Sequence, residues 1–238
     1  MRRAPIALLT AALTVSAACG PRETASTDGA STDRVEATAS VPGPQATLPR
    51  APDRYRVRME TTKGAFVIAV DRALAPRGAD RFFELVSNGF FRDVAFYRMV
   101  PGFIAQFGMH GTPSVHDQWR DATIADDPMR TGNVKGTVAF AANGPNSRST
   151  QLFISLEDNR RKLDGQKVFA PIGRVEEGMD VVERLNMEYG EEPNYVRIAR
   201  QGNTYLARWF PALDYIRSAT VMTDPVLAEP APAKPPTP

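Results

Sequence analysis

The chain has 238 residues, room for one domain with tails. Its formal charge of +2 falls to zero once Arg2 and Arg3 at the start are set aside, which argues against a nucleic-acid partner, since that usually needs a basic face. A single cysteine excludes an intramolecular disulfide and a thiolate metal site. Residues 1–18 have the layout of an export signal: Arg2 and Arg3, an apolar run from Ile6 to Val15, then small Ser16-Ala17-Ala18. That run is too short to span a bilayer as a mature helix.

Cys19 follows at once, with Gly20 behind it. The arrangement resembles a bacterial lipoprotein site, in which the cysteine is acylated, for instance with palmitate, and becomes the new first residue. Ser16 departs from that pattern, which has leucine at this place. The resemblance implies a membrane contact through an N-terminal lipid anchor in the bacterial envelope, facing the periplasm. Residues 19–54 are rich in Ser, Thr, Ala, Pro and Gly and nearly free of large apolar side chains, which reads as a disordered tether. The Pro/Ala-rich tail 224–238 reads as extended or disordered.

The folded domain is expected over 55–223. Tyr55, Val57 and Met59 alternate with charged residues, as in a half-buried strand, and Ala65–Val70 returns after a Lys63-Gly64 turn. Pro76 suits a helix first turn. Ala79, Phe82, Phe83 and Val86 then follow at helical spacing and Asn88-Gly89 ends the run, predicting a helix over Pro76–Ser87. Further strands are expected at 95–100, 103–107, 136–141, 151–155, 168–175 and 215–221. The polar stretch 108–133 reads as a long loop. A second helix is expected at 177–186, and a short one capped by Asn203 carries Leu206, Trp209 and Phe210. Many short strands and few helices suggest a mainly β fold, a closed antiparallel barrel, although composition alone does not choose it over a sandwich.

The stretch Phe96–Gln106, F-Y-R-M-V-P-G-F-I-A-Q, places one permanent cation, Arg98, among apolar residues around a Pro101-Gly102 turn. Arginine keeps its proton, so Arg98 acts only as a donor and a positive charge. A fixed guanidinium beside an apolar shelf suits an apolar ring next to a carbonyl, as in a prolyl peptide.

The same stretch resembles the signature of the cyclophilin family of peptidyl-prolyl isomerases. The likeness continues in Ala139–Ile154, Leu163–Gly165 and Phe169–Val182 and covers roughly residues 55–221. It implies an eight-stranded barrel capped by two helices, rotation about X-Pro bonds of proline-containing polypeptides, and no cofactor. By motif position it makes Arg98 the main catalytic residue. Phe103, Ile104, Phe153 and Leu163 become the proline pocket, and Gln106 the brace for the arginine. Gln151, Ala141 and Ala142 become substrate contacts, with Ala142 standing where the family has asparagine. Phe169 falls where animal members carry histidine. Lys162 stands where many members have Trp or Phe against cyclosporin, so weak or absent binding of that drug is expected.

Other chemistries fit poorly. His110 and His116 lie in the long loop with no cluster of further ligands, so no metal site is expected. The chain has neither a G-x-S-x-G elbow nor a phosphate-binding G-x-x-x-x-G-K-[ST] loop. Asp126-Asp127 and Glu176-Glu177 read as loop or helix-start charges. Two non-enzymatic alternatives are a module that holds prolyl segments with little turnover, and a lipocalin-like barrel with a ligand inside. Large apolar residues on most strands argue for a filled interior instead.

Overall fold

The computed structural model describes residues 40–222; the signal-like segment, Cys19 and the Pro-rich tail lie outside them. β1 (Arg54–Thr61) and β2 (Gly64–Asp71) form the first hairpin, with Val57 opposite Ile68 and Met59 opposite Phe66. The remaining strands are β3 (Val94–Ala95), β4 (Arg98–Val100), β5 (Ile104–Phe107), β6 (Thr137–Phe140), β7 (Leu152–Ser155), β8 (Pro171–Glu177) and β9 (Tyr215–Met222). They pair antiparallel in the order β3-β9-β1-β2-β8-β6-β7-β5-β4.

Among the described residues there are nine strands where eight were expected, because the run 94–100 breaks at Phe96 and Tyr97. Its first half pairs with β9 and its second with β5, at opposite ends of the ladder. The polypeptide itself therefore carries the sheet across its seam. The Phe96 N–H leaves the ladder to donate to the Asp214 carbonyl at 2.9 Å.

One apolar cluster fills the space the sheet encloses, with Val57, Met59, Ile68, Phe140 and Ile154 fully buried. That filling argues against the ligand-in-barrel alternative. α1 (Pro76–Ser87) matches its expected bounds and buries Ala79, Phe82, Leu85 and Val86 in the same cluster. Its first-turn donors go to Asp127, which accepts the N–H of Arg77 at 3.0 Å and of Gly78 at 2.8 Å. The Asp127 carboxylate, fully buried, is neutralised by the fully buried Arg148 at 3.1 Å. Asp127 lies in a loop of its own segment and caps α1, a helix about fifty residues away in sequence.

Six α-helices are present among the described residues, where the sequence led to three and the resemblance to two capping the barrel. α2 (Pro113–Trp119) occupies the stretch expected as loop; Val115 and Trp119 alone supply its apolar side, too few for a periodic signal. α3 (Arg160–Leu163) is a single turn, and α4 (Met179–Glu183) is shorter than the expected 177–186. α5 (Tyr195–Gln201) and α6 (Asn203–Trp209) meet at Gly202. There φ is +57° and an added Cβ would stand 1.9 Å from the Gly111 carbonyl oxygen, so only glycine fits. Gly202, not Asn203, holds the cap position of α6, and the Asn203 amide instead donates to the Asp93 carbonyl at 2.9 Å. Leu206 and Phe210 are buried as expected, but Trp209 is 56% exposed.

The expected disorder through residue 54 does not hold from Ser40 onward. The Pro42 carbonyl accepts the Trp119 indole N–H at 3.1 Å, the Gln45 N–H donates to Glu84 at 2.7 Å, and the Ala51 N–H donates to Asp80 at 2.9 Å. Composition argued for a disordered tether here. These backbone groups instead find buried polar partners on α1 and α2, and Ala51 is itself buried.

Candidate active site

β4, β5, β7 and β6 lie side by side, and their registers align one row of side chains. Arg98 is opposite Gln106, Gln106 opposite Phe153, and Phe153 opposite Ala139. Residues directly opposite share a face of the sheet, so the period of two along each strand puts the guanidinium, the amide and the ring on one surface. Ile104, two residues before Gln106, joins them. The turn between β4 and β5 uses Gly102 at φ +65°, which bears out the Pro101-Gly102 reading.

The row faces a cleft of about 730 Å³. At one end stands a small apolar cluster, distinct from the barrel core, made of Ile104, Ala139, Phe153 and Leu163 with Phe103, Ala141 and Phe169 packed on it. The Phe153 and Phe169 rings meet edge-on at 5.8 Å. The Arg98 guanidinium lies 5.8 Å from the Phe103 ring centre. All ten residues named from the sequence line this cleft: Arg98, Phe103, Ile104, Gln106 and Ala141, together with Ala142, Gln151, Phe153, Leu163 and Phe169. Asn143, one position beyond the alanine that replaces the family asparagine, lines it too. A second hollow of about 480 Å³, walled by Tyr55, Leu74 and Val134, contains none of the ten.

A polar relay fixes the arginine. Arg98 Nη1 donates to Gln106 Oε1 at 2.9 Å, and Gln106 Nε2 donates to the Tyr97 hydroxyl at 2.8 Å. The Tyr97 hydroxyl in turn donates to Gln151 Oε1 at 2.6 Å. Burial pushes the Tyr97 phenol well above its ordinary range, so the hydroxyl stays protonated and keeps donating. The Gln106 carboxamide is thereby held with its oxygen toward Arg98. On the far side Arg98 Nε donates to Glu191 Oε1 at 2.7 Å. The arginine side chain is only 21% exposed.

Sequence reading missed several contributors. Tyr97 sits in the break between β3 and β4, where alternation fails. Glu191, Tyr195 and Val196 come from the connection between α4 and α5 and from α5 itself, about which the periodicity says nothing; Tyr195 and Val196 line the cleft, and Tyr195 packs edge-on against Tyr97 at 5.4 Å. His116 of α2 also lines the cleft, and burial lowers its pKa. Lys162 lies over the Phe103 ring, its ammonium 4.9 Å from the centre, and donates to the Gly102 carbonyl at 3.2 Å. Among the described residues no group of three or more His, Cys, Asp or Glu is placed to hold a metal ion.

Comparison with known proteins identifies the family. The family model described as cyclophilin type peptidyl-prolyl cis-trans isomerase/CLD matches residues 56–203. A peptidyl-prolyl cis-trans isomerase A of Dickeya dadantii is 31% identical over 139 residues, covering 55% of this chain and 70% of that protein. A peptidyl-prolyl cis-trans isomerase of Schizosaccharomyces pombe is 31% identical over 136 residues, covering 55% and 84%. In solved structures, a cyclophilin type isomerase of Cryptosporidium parvum, crystallised in the presence of the dipeptide Ala-Pro, shares the fold. Its TM-score is 0.54 at 16% identity, covering 71% of this chain and 99% of that one. The row of Arg98, Gln106 and Phe153 lies inside the matched span, and the chain belongs to the cyclophilin-type peptidyl-prolyl cis-trans isomerases.

Proposed function

We propose that this isomerase accelerates X-Pro rotation in exported proteins and so assists their folding, working from a lipid anchor at Cys19 in the bacterial envelope. The unbroken row of Arg98, Gln106 and Phe153 carries the catalytic part of this reading. Amide resonance sets a rotation barrier of about 18–20 kcal/mol. In the twisted state the imide nitrogen regains its lone pair and accepts a hydrogen bond that the planar state does not. The apolar cluster around Phe103, Phe153 and Leu163 holds the proline ring still. Arg98, fixed by Gln106, aims a cationic donor beside it. A donor that engages the twisted state more strongly than the planar one lowers the barrier, at about tenfold in rate for each ~1.4 kcal/mol. Gln151, Ala141 and Ala142 border the path of the substrate backbone, and Phe169 closes the pocket behind Phe153. Lys162 offers cyclosporin an ammonium where an aromatic face would pack, so binding of that drug is weak or absent.

The test is an exchange or protease-coupled assay on an X-Pro peptide. Arg98→Ala lowers kcat/KM about a hundredfold, the usual cost of removing a transition-state donor. Equal, slow rates for wild type and Arg98→Ala overturn the enzymatic role of the site and leave a module that merely holds prolyl segments. The envelope part is tested separately by fractionating Cys19→Ser: release from the membrane supports the anchor, and retention removes it.

A further inference from the structure

Among the described residues, the one carboxylate that pairs with Arg98 is Glu191, 93 positions away in the chain. Its oxygen Oε1 accepts from Nε at 2.7 Å and lies 2.5 Å from Nη2. Two roles are open to such a carboxylate. It could sit on the working face of the arginine and compete with substrate, or stand behind it and fix its plane.

The geometry points to the second: we propose that Glu191 is a positioning residue for Arg98, an inference that rests on the isomerase reading of the site. Three observations carry it. The cleft is lined by Arg98, Gln106 and Tyr195 but not by Glu191, so the carboxylate stands outside the space a substrate enters. It takes the Nε edge, while Gln106 takes Nη1. A guanidinium has five N–H donors, so donors on the terminal nitrogens stay available to substrate. Finally, Glu191 is delivered by the backbone. The Met99 N–H, next to Arg98 on β4, donates to the carbonyl of Gly190 at 3.0 Å, so the chain beside Glu191 is pinned to the same strand.

Held by Gln106 alone, a long side chain still swivels about one bond. A second contact on the opposite edge fixes the plane, and a donor helps the twisted imide only while it is aimed. Glu191 is itself 60% exposed, so the expected effect is that of one exposed ion pair, about fivefold.

The experiment compares wild type, Glu191→Ala, Glu191→Gln and Arg98→Ala in the full chain. Kinetics are read as separate kcat and KM, and folding is checked by thermal unfolding. Glu191→Ala is expected to lower kcat about fivefold with KM within twofold. Glu191→Gln, which keeps an oxygen acceptor but loses the charge, is expected to recover part of the loss. A rise in activity for Glu191→Ala makes the carboxylate a competitor and overturns the proposal, as does an unchanged kcat. Should Glu191→Ala not fold, the ratio of kcat for Glu191→Asp to wild type decides instead, since the shorter acid withdraws the oxygen. A loss supports positioning and equality overturns it. If Arg98→Ala retains the wild-type rate, the isomerase reading of the site fails instead; if only the Glu191 variants match wild type, this inference alone is lost.

Discussion

Neighbouring residues of one strand serve two different apolar bodies. On β7, Leu152 and Ile154 belong to the barrel interior, while Phe153 between them belongs to the small cluster at the cleft. On β6, Phe140 faces inward and Ala139 outward. The interior cluster is closed on all sides, so its side chains contribute stability. The outer cluster is bordered by Arg98 and Gln106 and opens to a cleft, so part of its packing is left for a substrate ring. Both are built of apolar side chains. What separates them is whether the strand face is covered.

Truncation on the two faces breaks or sharpens that contrast. Phe140→Ala leaves a void in the closed cluster and should destabilise the fold by about 3–5 kcal/mol, read by denaturant unfolding. Phe153→Ala should cost less stability than Phe140→Ala. Its larger effect should be catalytic: removing about 2 kcal/mol of ring burial from the pocket lowers kcat/KM roughly thirtyfold. Equal destabilisation by the two variants, with activity per folded molecule unchanged in Phe153→Ala, would abolish the distinction.

The same contrast explains how much was legible in the sequence. α1 and the long strands were readable because their apolar period is local. Arg98, Gln106 and Phe153 were named as a set only through the family resemblance; the strand register then places them opposite one another. The ten residues carried by the resemblance all line the cleft, four of them (Arg98, Ile104, Gln106 and Phe153) from strands and the other six from turns, loops and α3. Glu191 was not legible: its partner is 93 residues away and its own neighbours form no periodic element. α2 was hidden because only Val115 and Trp119 face the core, and the ordering of residues 40–53 because it depends on Glu84, Asp80 and Trp119 rather than on its own composition. Polar contacts between distant segments leave no local pattern, whereas apolar faces do.

The two histidines give the smallest predicted effect and divide along the same line. His116 borders the cleft, and His110 packs against the interior residue Phe90 at 5.2 Å between ring centres. His110 Nδ1 accepts the Thr112 N–H at 3.0 Å, a bond available only while that nitrogen is unprotonated. Burial is the largest influence on His110 and lowers its pKa from the ordinary 6.5. The unfolded chain therefore binds this proton more readily than the folded one, so stability from this group is intact above 6.5 and drains away as pH falls below it toward the folded value. Carboxylates titrate lower and contribute their own slope, so the informative quantity is a difference. Between about pH 7 and about pH 5.5 the unfolding temperature of wild type should fall more than that of His110→Gln. Parallel curves for the two proteins would place the acid sensitivity outside the barrel edge. The same scan on His116→Gln then tells whether the cleft-side histidine carries it.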